Sequence, residues 1–345
     1  MSDDSQRLIP LRQFTAPRYW LTWIGLFLMW LVARLPYAFQ LMLGRLLGSL
    51  AYYLARERRH VCEVNLKLCF PELSQSEHHK LVKKTFSSNG IGLVETAMAW
   101  FGDPEAFRPM VKVSGLENIE LALAEGRGVL LLCAHFSTLD FGGLMISMFK
   151  DIDATFRPNK NPLFDAAMMN GRLRFCDRIF DRKNVRGAMR SLKSGHILWY
   201  APDQDYGAKY SVFVPFFGHP AATITATARF AKVNNSPVIF CSHYRNEDNS
   251  GYHLYFGKQL ENYPSGDEVA DASTINQLIE GAIRKQPDQY LWLHKRFKTQ
   301  AAGHSARPSC ATVAEFQLAP TPPSNLRSPP PPASPVSSHP ASRTP

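Results

Sequence analysis

The sequence predicts an α/β fold from two patterns. Short apolar runs bounded by glycine alternate with segments of helical period. Polar residues stand at the carboxyl ends of those runs, where α/β sheets open into a ligand crevice. The plainest run is Val129-Leu-Leu-Leu-Cys-Ala134, which follows Gly126-Arg-Gly128 and leads into His135-Phe-Ser-Thr-Leu-Asp140. Continuous rather than alternating hydrophobicity marks a strand buried on both faces. At 345 residues the chain is long enough for one full-sized domain with appended segments.

Residues 19–33 carry no charge and are rich in tryptophan, which predicts a membrane-anchor helix. The run is shorter than the roughly 20 residues that cross a bilayer, with Arg34 placed to snorkel and Pro36 to bend or end the helix. A second apolar stretch, 41–54, reaches the basic cluster Arg56, Arg58 and Arg59 and reads as interfacial. Residues 1–18 are thus assigned to a cytoplasmic N-terminus and 19–55 to the anchor and interfacial segment. Residues 61–100 have helical spacing, with Asn89-Gly90 read as an interruption. The alternation then predicts strands at 111–115, 129–134, 154–156, 196–201, 237–242 and 252–256. Helices are expected at 116–125, from 139 or 140 onward, and at 164–175, 185–193, 223–233 and 273–286. These make one domain over 56–299. Beyond residue 300 proline, serine and alanine dominate, including Pro329-Pro-Pro-Pro332, and a disordered tail is predicted over 300–345.

The formal charge of +10 calls for an anionic partner but does not choose among nucleic acid, an anionic membrane and an acidic or phosphorylated substrate. The six cysteines are scattered, with no Cys-x-x-Cys pair, as expected for reduced thiols in a protein facing the cytosol. Several lie in apolar runs, where they act as small hydrophobes.

His135 and Asp140 are the first candidates for chemistry. An imidazole at a strand end can take a proton from a hydroxyl nucleophile, and an acid can orient it and stabilise the imidazolium. If the chain turns into a helix directly after the strand, Asp140 returns to the ring, because residues one turn apart share a face. A metal site of His135, Asp140, Asp203 and Asp205 uses the same residue types, and so does a local cap. Arg157, Arg172 and Arg174 follow as donors for phosphate or carboxylate. Asp203, in Ala201-Pro-Asp-Gln-Asp-Tyr-Gly207, sits in a loop after a predicted strand, where functional residues and ordinary turn residues both occur. Ser211-Val-Phe-Val-Pro-Phe-Phe-Gly218 is apolar enough either to line an acyl pocket or to be plain core.

Taken together, His135-Phe-Ser-Thr-Leu-Asp140, Arg157-Pro, Gly171-Arg-Leu-Arg174, Asp181-Arg-Lys-Asn184, the 201–207 loop, Phe213-Val-Pro-Phe-Phe-Gly218 and Tyr290-Leu-Trp-Leu-His-Lys-Arg-Phe-Lys298 closely resemble the late lipid A acyltransferases, especially the lauroyl type. The likeness runs from Pro17 to Lys298 and takes in Asn65-Leu-Lys-Leu-Cys-Phe-Pro71 and Leu93-Val-Glu-Thr-Ala-Met-Ala-Trp100. The resemblance implies a glycerol-3-phosphate acyltransferase-like mixed sheet flanked by helices. It also implies an inner-membrane enzyme with a single-pass anchor and its catalytic domain facing the cytoplasm. Such an enzyme moves a fatty acyl chain, lauroyl by preference, from acyl carrier protein to a hydroxyl of an acyl chain on a Kdo-bearing lipid A precursor. No cofactor, metal or nucleic acid is implied beyond the carrier-protein thioester. By the same likeness His135 is the base, Asp140 its partner, and Arg172 and Asp203 match further functional positions. Aspartate at 140 departs from the glutamate frequent in the lauroyl branch. The rival expectations are a metal-dependent hydrolase of a phosphorylated lipid and a non-enzymatic basic membrane adaptor.

Overall fold

The computed structural model describes residues 8–301; the expectations for residues 1–7 and for the tail from 302 lie outside the described residues. Helices α1 (Trp20–Val32), α2 (Tyr37–Leu54), α3 (Arg56–Cys69), α4 (Gln75–Phe101) and the one-turn α5 (Pro104–Phe107) precede the sheet. The alternating part comprises β1 (Val111–Ser114), α6 (Leu116–Ala124), β2 (Val129–Leu132), α7 (Leu139–Ser147), β3 (Asp153–Phe156), α8 (Pro162–Arg172), β4 (Arg178–Asp181), α9 (Val185–Lys193) and β5 (Ile197–Tyr200). The chain continues through β6 (Ser211–Phe216), β7 (His219–Ile224), α10 (Ala226–Asn234), β8 (Val238–Arg245), β9 (Tyr252–Gln259) and α11 (Glu268–Lys285).

Seven strands form a mixed sheet in the order β1-β9-β8-β2-β5-β3-β4, and β6 and β7 pair as a separate hairpin. β8, β2, β5, β3 and β4 run parallel, while β9 is antiparallel to β8. β2 lies inside the sheet and all four of its residues are buried. Its side chains alternate between two cores: Leu130 and Leu132 join Leu198, Val238 and Phe240 on one face, and Val129 and Leu131 join Ile197, Trp199 and Ile239 on the other. Both faces are therefore covered, which is why this strand shows no polar alternation.

The helical region differs from the sequence reading at one informative point. α4 runs unbroken through Asn89-Gly90 from a capping box made by Ser74 and Glu77. A Cβ on Gly90 would stand 2.2 Å from the Gly44 carbonyl oxygen and 2.3 Å from the Gly48 nitrogen. The glycine thus serves a close crossing of α2 over α4, not a turn. The crossing also places one side of α2, including Gln40, Leu41, Gly44 and Gly48, against the protein. No helix among the described residues is long and apolar enough to cross a membrane.

Three smaller differences concern short elements. β4 is a four-residue strand that pairs only with β3, and its short apolar content hid it among the surrounding cations. The helix expected from Thr223 begins at Ala226, because Thr223 is still paired with Val212 in the hairpin. Within that hairpin Val214 and Phe216 are buried, and Phe216 packs against Phe217 and Phe297, so these residues of the 211–218 segment belong to the core while Pro215 is exposed.

Candidate active site

The parallel strands bring residues from distant parts of the chain to one edge of the sheet. His135 follows β2, Arg157 follows β3, Arg182 follows β4 and Asp203 follows β5. Pairing of β2 with β5 in register from Val129–Ile197 to Leu132–Tyr200 sets the histidine beside Asp203. The ring Nδ1 lies 2.6 Å from Asp203 Oδ1, and the His135 backbone N–H donates to Oδ2 at 3.0 Å. A proton held on Nδ1 by this carboxylate leaves Nε2 as the basic nitrogen. The His135 side chain is 20% exposed while that of Asp203 is 1% exposed, so the imidazole is reachable and its partner is shielded.

Burial by itself would raise the Asp203 pKa. The neighbouring His135 charge and hydrogen bonds from the His135 ring, the His135 amide and Tyr290 outweigh it, and the carboxyl is held down at about 2. Asp203 is therefore ionised at neutral pH.

Asp140 does not reach the imidazole. After His135 the chain makes a tight turn, with Leu139 N–H bonded to the Phe136 carbonyl, and α7 starts only at Leu139. His135 is outside that helix, so the shared face expected from the spacing does not exist. Asp140 projects from the first turn of α7 to Arg172, the last residue of α8. The Arg172 Nε donates to Oδ1 at 2.6 Å and Nη2 to Oδ2 at 3.3 Å. Burial lowers the Arg172 pKa, but Asp140 more than offsets this and the net shift is upward.

The other sequence candidates divide. Arg157 is exposed at the carboxyl end of β3. Arg174 donates to the carbonyls of Trp100 at 2.9 Å and Gly102 at 2.6 Å, and so is occupied in capping the end of α4. Asp205 accepts from the Thr299 backbone and hydroxyl, both at 2.8 Å, and from Gly207 N–H. The carboxylates of the four-residue metal reading are thus each engaged by protein donors at Arg172, His135 and Thr299. Among the described residues the acid and histidine grouping with metal-ligand spacing is a different one, Asp153, Asp177 and His196. These precede or begin β3, β4 and β5, at the opposite edge of the sheet.

Two supports of the site have no role that the sequence assigns. His243, on β8, is fully buried; its Nδ1 is 2.7 Å from the Thr138 hydroxyl and its Nε2 is 3.1 Å from Cys133 Sγ. Burial pulls its pKa down to about 4, so the ring is neutral and braces the turn after His135 from behind. The second support is the segment after α11. Ser137 N–H donates to the Gln289 carbonyl at 2.6 Å, Leu291 N–H donates to the His135 carbonyl at 2.9 Å, and Phe136 bridges Tyr290. Asn65 anchors the same segment through the Trp292 and His294 carbonyls at 2.7 and 2.8 Å. A lone histidine in an apolar strand and a polar-aromatic C-terminal motif do not declare such roles.

Comparison with known proteins covers nearly the whole of the described chain. Residues 10–299 match the family model described as bacterial lipid A biosynthesis acyltransferase. The lipid A biosynthesis lauroyltransferase of Escherichia coli (strain K12) is 41% identical over 292 residues, which cover 84% of this chain and 95% of that protein. The palmitoleoyltransferase of the same organism is 39% identical, covering 86% and 96%, and its myristoyltransferase is 30% identical, covering 85% and 91%. A match over nearly the whole described chain, with each of these relatives covered almost end to end, shows that the chain is an O-acyltransferase belonging to the bacterial lipid A biosynthesis acyltransferase family.

Proposed function

We propose that the enzyme transfers a fatty acyl group, lauroyl by preference, from an acyl carrier protein thioester to a hydroxyl of an acyl chain on a Kdo-bearing lipid A precursor. The observation that carries the reading is the His135–Asp203 pair at the carboxyl edge of β2 and β5. Nε2 of His135 takes the hydroxyl proton as the oxygen attacks the thioester carbonyl, and buried Asp203 stabilises the imidazolium. Collapse of the tetrahedral adduct breaks the carbon–sulfur bond, and the imidazolium returns the proton to the departing thiolate. Atoms and charge balance with no further co-reactant, so the step calls for no cofactor. Asp140 and Arg172 fix α7 against α8 beside this turn. Arg157 supplies a cation for an anionic partner at the same edge.

The reading places the enzyme at the cytoplasmic face of the inner membrane, held there by residues 19–55. Its support is the apolar surface of α1 and α2, where Leu21 is 81% exposed and Leu54 72%. Basic Arg18, Arg34, Arg56 and Arg58 flank that surface, a pattern suited to anionic headgroups. The test is acyl transfer by the purified full-length chain from carrier-protein thioesters to precursors with and without Kdo, in the presence of chelator. Transfer that survives chelator and requires Kdo is the expected result. Loss of activity on removing metal contradicts the mechanism.

A further inference from the structure

α1, α4 and the loop before α8 line an open cleft of about 560 Å3 with an almost wholly apolar lining, its rim formed by exposed Leu21, Leu28 and Leu93. The volume falls within the roughly 300–1,000 Å3 of small-molecule sites. Two features relate it to the catalytic edge. Its inner wall is α4 at Leu93, Val94 and Ala97, directly after Gly92, where an added Cβ would lie 2.4 Å from the Ser137 carbonyl oxygen. α4 therefore seats the turn that carries His135 with the same stretch that walls the cleft. The few polar groups of the lining include Asn159 and Asn161, in the loop that follows Arg157 at the carboxyl edge of β3. Asn161 also donates to the Thr22 hydroxyl at 2.7 Å, tying α1 to the start of α8.

Along α1 the lining residues Leu21, Gly25, Leu28 and Val32 recur at helical spacing. They extend over about 16 Å at the helical rise of about 1.5 Å per residue. Gly25 stands at the middle of this face, and a Cβ built there meets nothing within 4 Å. Gly25 is neither a close crossing like Gly90 nor a residue at positive φ. Its missing side chain leaves space in the cleft.

We propose that this cleft takes the hydrocarbon chain of the acyl donor and that Gly25 sets the chain length it accepts. The inference rests on the acyl-transfer reading above. An apolar cleft that runs about 16 Å along α1 suits one unbranched hydrocarbon chain. Relatives on the same scaffold are named for lauroyl, myristoyl and palmitoleoyl transfer, so chains differing by a few methylenes must be told apart. In an apolar pocket such a difference is worth about 10–200-fold per methylene-sized change.

The test is a competition between dodecanoyl and hexadecanoyl carrier-protein thioesters for the full-length enzyme, read as the ratio of the two products. That ratio does not depend on how much enzyme is folded. Gly25→Leu, which also favours the helix, is expected to move the ratio at least roughly tenfold toward the dodecanoyl product. Met29→Ala, which enlarges the same cleft, is expected to move it the other way. Wild-type ratios in both variants overturn the assignment of the cleft, while acyl transfer by the wild type leaves the functional reading standing. Absence of transfer from either thioester by wild type overturns the functional reading itself. A Gly25→Leu effect seen only when the acceptor's chains are shortened, with donor preference unchanged, assigns the cleft to the acceptor and overturns the donor proposal.

Discussion

Asp203 carries its charge inside the protein, and the consequences are measurable. Its carboxyl is held near 2 against an ordinary value of 3.8. The folded-state pKa is depressed, so the stabilisation is present above the unfolded pKa and is lost as pH falls through the window from about 4 to about 2. Its size is on the order of 2 kcal/mol. In acid unfolding, Asp203→Asn is expected to be less stable than wild type at pH 6, with the gap narrowing below pH 4. A gap that is independent of pH contradicts a buried, ionised Asp203 carboxylate. Asp140 makes the opposite test of pairing. Asp140→Asn leaves the Arg172 guanidinium buried without its carboxylate, at a cost of about 3–5 kcal/mol in thermal or denaturant unfolding. The double variant Asp140→Asn, Arg172→Met is expected to recover part of that loss. Recovery does not follow if Asp140 partners His135.

At this scale the sequence offers His135 and Asp203 as separate candidates and conceals that they pair. An apolar run ending in histidine is local information. Asp203 lies 68 residues away, and only the pairing of β2 with β5 brings it in. Asp140 was the acid in plain sight, but the turn of Phe136–Thr138 displaces it onto α8. Arg172, 32 residues further along, gives no local sign of that pairing.

Among the elements, the buried strands were the most legible because their covered faces leave uninterrupted apolar runs. The α2–α4 crossing was not, since Asn-Gly punctuates a chain whether it turns or packs. The crossing predicts that Gly90→Ala destabilises the fold, although alanine is the better helix former by about 1 kcal/mol. Backbone of α2 lies within 2.3 Å of the added carbon, and overpacking of this kind costs about 1–3 kcal/mol. A melting temperature at or above wild type contradicts the close crossing. The buried Glu95–Arg245 pair, at 2.6 Å, joins α4 to β8, with the Tyr252 hydroxyl donating to the same oxygen from β9 at 2.9 Å. This network connects the helical layer to the sheet at the carboxyl end of β8.

At the scale of the molecule, an excess of positive charge coincides with an apolar surface on α1 and α2. Vesicles containing anionic lipid are expected to sediment the full chain, with binding weakened but not abolished as salt rises, because the apolar contribution is not screened. Replacement of Leu21, Ile24 and Leu28 by asparagine is expected to reduce binding at every salt concentration. Unchanged partitioning assigns the association to charge alone.

The most direct measurement is the single-turnover rate of acyl transfer to a Kdo-bearing precursor for wild type, His135→Ala and Asp203→Asn. A loss of at least about a hundredfold is expected for His135→Ala, and a large loss for Asp203→Asn with acceptor affinity retained. Transfer by His135→Ala at the wild-type rate rules out His135 as the base.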